Sequence, residues 1–326
     1  MNNKNYQQPI PVSVISGFLG SGKTTLLNRI LNGDHGLKIT VLVNDFGAIN
    51  IDSQLLQKQD ANTISLNNGC ICCSIQNDLV DELQRLIHHP DGPPEYILVE
   101  TSGVSDPTKI LNVMRYPQFR DRLQIQTVLT LINAELFGDL DGQMKQLAMS
   151  QLDVADIIVI NKTDCATPES IAQIHDNWLY PSARVLETSY ANVPLSLLFD
   201  HQTEVEQTSA KTVEPATEHQ SSPGYVPDHS HLFQSWSWRS SQPVCVEKLR
   251  AAINQLPNQV YRAKGIFNTQ QRAQQQTVLQ LVGSRQEWSP GNHWKDDEPH
   301  SELVIIGTAG AFNPDQLQTT FDSCIQ

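Results

Sequence analysis

A glycine-rich run near the start of the chain has the residue types and spacing of a phosphate-binding loop. Residues 17–24 are Gly-Phe-Leu-Gly-Ser-Gly-Lys-Thr, which matches G-x-x-x-x-G-K-[ST]. In this pattern backbone N–H groups converge on phosphate oxygens, the lysine reaches the β- and γ-phosphates, and the threonine hydroxyl is a Mg²⁺ ligand. We predict a nucleoside triphosphate site with Lys23 also acting in catalysis and Thr24 holding the metal; its residues are Gly17, Gly20, Ser21, Gly22, Lys23, Thr24 and Thr25.

A second motif, Asn161-Lys162-Thr163-Asp164, follows an apolar run and favours guanine as the base. A buried aspartate at its end accepts hydrogen bonds from N1–H and N2–H of guanine, and adenine lacks that donor pair. Asn161 is expected to support the base edge, and the stem of Lys162 to pack over the ring. Thr188-Ser189 is a weaker candidate for the same pocket. We predict GTP as the ligand, with ATP as the alternative.

Two further segments follow strand-like runs where side chains could act on the γ-phosphate. In Glu100-Thr101-Ser102-Gly103, Glu100 is predicted to hold Mg²⁺ through water or to orient the attacking water. Gly103 would let the backbone approach the phosphate. Asp45, in Asn44-Asp45-Phe46-Gly47, is predicted to approach Mg²⁺ or the attacking water. The alternative for Glu100 is a solvated carboxylate at a strand end.

Three cysteines lie within Gly69-Cys70-Ile71-Cys72-Cys73, just before a predicted helix. A helix N-terminus favours thiolate, the form of cysteine that binds metal. Cys70, Cys72 and Cys73 are therefore candidate ligands for Zn²⁺, Co²⁺ or Cu⁺, and an open fourth position suits transfer of the ion. Small buried core residues and a redox switch are the alternatives. A possible auxiliary metal site comprises His219, His229, His231, His293 and His300.

Composition excludes several classes of function. The 326 residues suffice for two domains, and the net charge of -13 argues against nucleic acid as the main partner. The polar start of the chain lacks the apolar core of a signal peptide, and no apolar run approaches the roughly 20 residues that span a bilayer. We expect a soluble cytoplasmic protein, whose crowded cysteines serve metal or redox chemistry rather than disulfides.

The elements that would position these motifs alternate between strands and helices. Strands are predicted at 12–16, 39–43, 96–99, 126–132, 157–160 and 183–186, and helices at 25–31, 78–88, 108–114 and 142–152. This alternation predicts an α/β domain over residues 10–200, a P-loop NTPase fold whose mostly parallel sheet is covered on both faces. The motifs would then meet at the carboxyl ends of the strands.

Beyond residue 200 the composition changes twice. Residues 201–231 are too polar to bury a core, so we predict a flexible acidic linker with histidines. Residues 232–326 predict a small α+β domain in the order βαβββα, with its sheet covered on one face. Its strands are predicted at 233–239, 260–268, 276–283 and 303–307, and its helices at 244–256 and 313–324.

The motifs G-F-L-G-S-G-K-T, N-D-F-G, G-C-I-C-C, E-T-S-G and N-K-T-D, in this order, resemble those of the CobW-like metallochaperone GTPases. These are relatives of the nickel-inserting GTPases of hydrogenase and urease maturation. The stretch 261–265 is similar to their C-terminal domain. The resemblance implies a GTPase that loads zinc or cobalt on its C-x-C-C motif and delivers it to a client. Many members have N-E-F-G-E, whereas this chain has Asp45 and Ala48, so an acidic side chain available to a metal is missing there.

Together these features predict a slow GTPase that acts as a metallochaperone. GTP and Mg²⁺ would order the segment 44–47 and the loop with the cysteines, and hydrolysis would release Zn²⁺ or Co²⁺ to a client metalloprotein. A nucleotide- or metal-dependent homodimer is a further expectation; nucleic acid and membranes are not expected as partners. One alternative is a nucleotide-switched metal buffer or sensor without client insertion. Another is a nucleotide-dependent enzyme such as a kinase, which the N-K-T-D motif disfavours.

Overall fold

The computed structural model describes residues 9–33, 36–44, 63–66, 74–199, 233–294 and 298–325. These residues form two sheets, each covered by its own helices. Within these ranges, no helix combines the length and the apolar character needed to cross a membrane.

The first sheet has seven strands in the described ranges, and neighbouring strands in it all pair in parallel. The strands lie in the order β3-β2-β4-β1-β5-β6-β7. They are β1 (Ile10–Gly17), β2 (Ile39–Asn44), β3 (Thr63–Leu66), β4 (Tyr96–Glu100), β5 (Leu123–Asn133), β6 (Ile157–Asn161) and β7 (Val185–Glu187). The helices are α1 (Lys23–Asn32), α2 (Ser74–Ile87), α3 (Thr108–Met114), α4 (Gly142–Asp153) and α5 (Pro168–Trp178).

Helices cover this sheet on both faces. The inner strands β4 and β6 are buried along their whole length, as expected for parallel strands with helices on each side. Ile15 of β1 shares an apolar cluster with Leu26 of α1, while its neighbour Val14 shares another with Leu83 of α2. Alternate side chains of one strand therefore pack into the two apolar clusters on opposite faces of the sheet.

The second sheet is antiparallel, in the order β11-β10-β9-β12-β8. Its strands are β8 (Phe233–Ser240), β9 (Val260–Phe267), β10 (Gln275–Val282), β11 (Arg285–His293) and β12 (Ser301–Thr308). The helices α6 (Val246–Asn254) and α7 (Pro314–Asp322) pack on one face, where Leu249, Leu303 and Phe321 are fully buried.

The predicted fold class is confirmed, but the sequence patterns missed three elements, namely β3, β11 and α5. The C-terminal order is βαββββα rather than βαβββα, because β11 was not predicted. This edge strand contains Pro290-Gly291, which breaks the apolar alternation and is tolerated where one side of a strand has no neighbour. The helix α5 was also missed, although Thr167 caps it by accepting from Ser170 N. The predicted domain limits stay predictions, and the linker at 201–231 lies outside the described residues.

The second sheet packs against the first at the amino ends of β5, β6 and β7, opposite the strand ends that carry the motifs. Tyr261 OH donates to Val185 O at 2.9 Å, and Arg184 Nε donates to Gly283 O at 3.2 Å. Tyr261 also belongs to the apolar cluster that contains Ile157 of β6. The interface is therefore part of the core as well as a set of polar contacts.

A buried ion pair fixes this interface. Arg285 Nε and Nη2 donate to the two carboxylate oxygens of Asp156 at 2.9 and 2.8 Å, and Asp156 is only 7% exposed. The same guanidinium donates to the carbonyl oxygens of Ile125 and Gln126. Burial lowers the pKa of Arg285, but its hydrogen bonds to Asp156 and the charge of that carboxylate outweigh burial and raise the pKa. Arg285 therefore stays charged inside the interface.

Removing this guanidinium should destabilise the whole chain. Arg285→Ala leaves the buried Asp156 carboxylate with only the backbone N–H of Val128. We expect the free energy of unfolding to fall by about 2 kcal/mol, less than for a fully enclosed pair because the arginine is partly exposed. Urea unfolding measures this change. Arg272→Ala, which removes an exposed arginine of the second domain, is the control and should cost less than about 0.5 kcal/mol; equal losses in the two variants would contradict the role of the pair.

Candidate nucleotide-binding site

The loop between β1 and α1 combines open backbone with a buried lysine. Gly22, the residue before α1, has φ of 105° and carries no side chain to cap the helix start. A helix start without a side-chain cap presents backbone N–H groups of the kind that bind phosphate. Lys23 is 7% exposed, and its ammonium donates to the carbonyl oxygens of Gly17 and Phe18 at 2.9 and 3.1 Å. A fixed positive charge at a helix N-terminus suits a polyphosphate.

The other predicted phosphate ligands lie in the same loop. Gly20 has φ of 70° and no atom within 4 Å of where a Cβ would be, so the backbone there is open. Ser21 is fully buried, and its hydroxyl has no hydrogen-bond partner in the described part of the chain. A buried hydroxyl without a protein partner is one that ligand or water satisfies. Thr24 is half-buried and Thr25 exposed, in the first turn of α1.

Gly22 is also the point at which the phosphate loop meets the N-K-T-D motif. A Cβ at Gly22 would lie 2.3 Å from Asn161 Nδ2, closer than real side chains approach. Any larger residue would have to displace Asn161 or distort the loop. Glycine is required here both for its left-handed backbone and for this close approach.

Asn161, the last residue of β6, joins the phosphate loop to a second loop at residues 188–192, called here the base-side loop. Its Nδ2 donates to Ser21 O, and its Oδ1 accepts from Ala191 N, both at 2.8 Å. The side chain is 2% exposed. The sequence predicted support of the base edge by Asn161, which stays a prediction; the structure shows that its carboxamide fixes two backbone segments relative to each other.

The base-side loop lies against the N-K-T-D turn. Thr163 N and Thr163 Oγ1 both donate to Thr188 O at 3.2 Å, and Thr163 Oγ1 lies 3.0 Å from Ser189 Oγ. Tyr190 and Ala191 have φ of 55° and 52°, which is uncommon for residues other than glycine and recurs in functional loops. The weak candidates Thr188-Ser189 therefore lie beside the motif that they were predicted to complete.

The aspartate expected to recognise guanine is exposed, so its predicted burial is wrong. Lys162 is half-buried, and its left-handed backbone, with φ of 63° and ψ of 36°, turns the chain sharply after β6. The next three residues form a short 3-10 turn on the surface, and the described part of the chain leaves Asp164 exposed. A base packed beside this turn would itself bury Asp164, so the residue type still suits guanine recognition.

The strand β4 brings Glu100 beside the phosphate loop. Glu100 is 2% exposed and pairs in register with Ile15, two residues before Gly17. Further along, a Cβ at Gly103 would lie 2.8 Å from Leu19 N, so the E-T-S-G segment packs directly on the phosphate loop. The roles predicted for Glu100 and Gly103 in hydrolysis stay predictions; both residues lie beside the phosphate loop.

Gln151 of α4 supports this arrangement and was missed by the sequence patterns. Its Nε2 donates to Gly103 O at 3.3 Å and to Ser105 O at 3.2 Å, and the side chain is 1% exposed. The signal was available, because Gln151 lies three residues after the buried Ala148 and one before the buried Leu152, on the apolar face of an amphipathic helix. A polar residue on such a face needs a buried partner.

Several predicted site residues lie outside the described residues, namely Asp45, Cys70, Cys72 and Cys73, together with His219, His229 and His231. In the ranges that are described, no three His, Cys, Asp or Glu side chains come together as a possible metal site. His293 Nδ1 lies 3.1 Å from Gln274 O, and His300 Nδ1 lies 2.9 Å from Glu298 O. These two histidines thus make separate local contacts.

Two family models match the chain. The one described as "CobW/HypB/UreG, nucleotide-binding domain" covers residues 11–181. The one described as "Cobalamin synthesis protein cobW C-terminal domain" covers residues 233–325. The first match ends before β7 (Val185–Glu187), and the second begins at the first residue of β8.

Curated relatives match over much of the chain. The zinc chaperone YjiA of Escherichia coli is 30% identical over 92% of this chain and 94% of its own length. The zinc-regulated GTPase metalloprotein activator 1 of Dictyostelium discoideum is 30% identical over 76% of this chain but only 59% of its own length. The solved structure of Zn(II)-bound YjiA GTPase from E. coli is 22% identical, with a TM-score of 0.43, covering 98% of this chain and 100% of that one.

Loss of the Asn161 carboxamide should weaken nucleotide binding without touching the nucleotide's predicted phosphate ligands. Asn161→Ala leaves Ser21 O and Ala191 N without their partner, which costs about 1–3 kcal/mol and loosens both loops. We expect the Kd for GDP and for GTP to rise at least about tenfold in titrations with a fluorescent nucleotide.

The matched control is Asn133→Ala at the end of the neighbouring strand β5, where, within the described residues, Asn133 Oδ1 accepts from Glu135 N alone. This variant should change the Kd by less than about twofold. Equal effects of the two substitutions would contradict the bridging role of Asn161.

Proposed function

Because the chain belongs to the CobW/HypB/UreG family of P-loop GTPases, we propose that it uses GTP to load a transition metal and pass it to a client metalloprotein. The observation that carries this proposal is the Asn161 bridge, which makes the phosphate and base sides of the site one unit. Zinc is the first choice of metal because relatives are named zinc chaperone and zinc-regulated activator; cobalt is the alternative.

The phosphate loop provides what the triphosphate requires. Lys23 and the first N–H groups of α1 would hold the β- and γ-phosphates, and the Thr24 hydroxyl would hold Mg²⁺, which neutralises phosphate charge. The open backbone at Gly20 and the unpartnered Ser21 hydroxyl fit such a ligand. Glu100, buried at the end of the neighbouring strand, is the proposed group that orients water. Asp45 is proposed for the same step.

The described ends of the flanking strands support metal loading near this site. Asn44, the last residue of β2, pairs with Leu66, the last residue of β3, at the carboxyl edge where the phosphate loop lies. The segment with Asp45 and the segment with the cysteines thus both leave from this edge. The helix α2 begins at Ser74, directly after Cys73, and a helix start favours thiolate. Cys70, Cys72 and Cys73 are the proposed metal ligands.

The rival function is a metal buffer or sensor in which GTP switches partner binding without insertion. Both functions need coupling between nucleotide binding and metal binding. Such coupling is reciprocal, because each ligand changes the affinity for the other by the same factor. Transfer separates them: a chaperone delivers its zinc to an apo-client on hydrolysis, and a sensor keeps it. We place this activity in the reducing cytoplasm, where thiolates persist. A homodimer that depends on nucleotide or metal is part of the proposal.

Guanine specificity should depend on the Asp164 carboxylate. Asp164→Asn replaces an acceptor of two N–H groups by an amide that matches the C2 carbonyl of xanthine better. We expect the Kd for GTP to rise at least about tenfold and that for XTP to fall, measured by competition against a fluorescent nucleotide. The charge-matched control is Asp176→Asn, which alters an exposed aspartate of α5 and should leave the Kd values for GTP and XTP unchanged. An unaltered preference for GTP in Asp164→Asn would disprove the assignment.

Metal binding should depend on both nucleotide and cysteine. A competitive zinc titration is expected to give a lower Kd for Zn²⁺ with a non-hydrolysable GTP analogue than without nucleotide. Saturating zinc should lower the Kd for the analogue by the same factor. Cys72→Ser should remove the high-affinity site, whereas Cys165→Ser, which alters an exposed cysteine, should not. Zinc affinity that ignores both the nucleotide and Cys72→Ser would refute metal loading at the cysteine motif.

A further inference from the structure

The second domain contains a recess that the nucleotide site does not use. The recess lies beside the start of α6 and is lined by residues of the outer strands β10 and β11. Its cavity volume is about 420 Å³. Its lining includes Glu247, Arg250, Arg272, Thr277, Trp288 and Pro290.

Two arginines, Arg250 and Arg272, give the recess positive charge and hydrogen-bond donors. The guanidinium carbon of Arg250 lies 5.1 Å from the centre of the Trp288 ring, a cation–π contact that holds the guanidinium plane in place. Trp288 is in turn held by Phe267, at 6.1 Å between ring centres. In the described part of the chain, neither Arg250 nor Arg272 donates a side-chain hydrogen bond to a protein acceptor. Their N–H groups are therefore available to a molecule that enters.

Among the described residues that line the recess, Glu247 is the one carboxylate that opposes these two charges. Glu247 accepts from Cys245 Sγ at 3.2 Å, and this hydrogen bond is the main cause that lowers the pKa of Glu247, ahead of the charge of Arg250. The chain as a whole carries a net charge of -13. At about 0.1 M salt, charges further than roughly 10 Å are screened. A ligand in the recess is therefore governed by its two arginines rather than by the distant acidic surface.

We propose that this recess docks a carboxylate-rich peptide segment of a protein partner. A guanidinium pairs with a carboxylate through two parallel hydrogen bonds, and a fixed plane such as that of Arg250 loses little freedom on binding. The hydroxyls of Thr269 and Thr277, 3.3 Å apart at one side, offer further polar contacts. A volume of this size accommodates a few side chains rather than a single small ion.

The edge strand indicates that recognition occurs through side chains. β11 is the outer strand of its sheet, where a peptide could in principle add as a further strand. Pro290, which lines the recess, has no N–H to offer a new strand, and proline is a common means of blocking an edge. The partner's carboxylates, rather than its backbone, are therefore the groups that this surface selects.

The test is fluorescence polarisation of a dye-labelled six-residue glutamate peptide with the full chain. Arg250→Glu/Arg272→Glu should raise the Kd for this peptide at least about tenfold. Arg120→Glu/Arg122→Glu, which makes the same charge change at exposed arginines of the first domain, should raise it less than about twofold. The corresponding glutamine peptide should bind at least about tenfold more weakly than the glutamate peptide. GTP hydrolysis and zinc binding should be unchanged in both double variants, so this inference fails or succeeds separately from the proposed function.

Three results would overturn the inference. The first is equal weakening by the two double variants, which would mean that only net charge matters. The second is equal binding of the glutamine and glutamate peptides. The third is displacement of the labelled peptide by free glutamate or inorganic phosphate at the concentration at which unlabelled peptide displaces it, which would identify a site for small anions.

Discussion

One buried carboxamide holds the two sides of the nucleotide site at a fixed distance. Asn161 donates to the phosphate loop and accepts from the base-side loop, and leaving either backbone group unsatisfied costs about 1–3 kcal/mol. The absence of a Cβ at Gly22 is what allows the amide to come so close. The N-K-T-D turn, the base-side loop and the phosphate loop thus depend on one side chain at the end of β6. A nucleotide that moves one loop must also move or strain the other.

The sequence predicted most of what depends on neighbouring residues. The helix Thr108–Met114 was predicted with its observed bounds, because its apolar spacing is local. The strand β11 was missed because Pro290-Gly291 disrupts alternation in a strand whose partner lies elsewhere in the chain. The exposure of Asp164 and the contacts of Gln151 depend on which elements cover them, and no short pattern contains that information. The cysteines of the predicted metal motif were proposed as ligands from their type, their spacing and a family resemblance, and they lie outside the described residues.

The two ends of the strands in the first sheet have different roles. The carboxyl ends of its strands carry the phosphate loop, Glu100 and the N-K-T-D motif, whereas the amino ends of β5, β6 and β7 carry the second domain. β7 is only three residues long, so Tyr261 at Val185 O and the base-side loop that follows Glu187 are attached to the same short strand. The base-side loop is therefore supported by the second domain as well as by its own sheet.

The apolar part of the interface also affects the solubility of any fragment that lacks the second domain. Tyr261 and Val282 of the second sheet are buried in the same cluster as Ile157 and Leu186 of the first, and Phe233 and Ile306 pack at its margin. A fragment that ended at residue 199 would present that strip to water and leave the Asp156 carboxylate without its guanidinium. Exposed strips of this kind promote aggregation. Such a fragment is therefore expected to be less soluble than the whole chain.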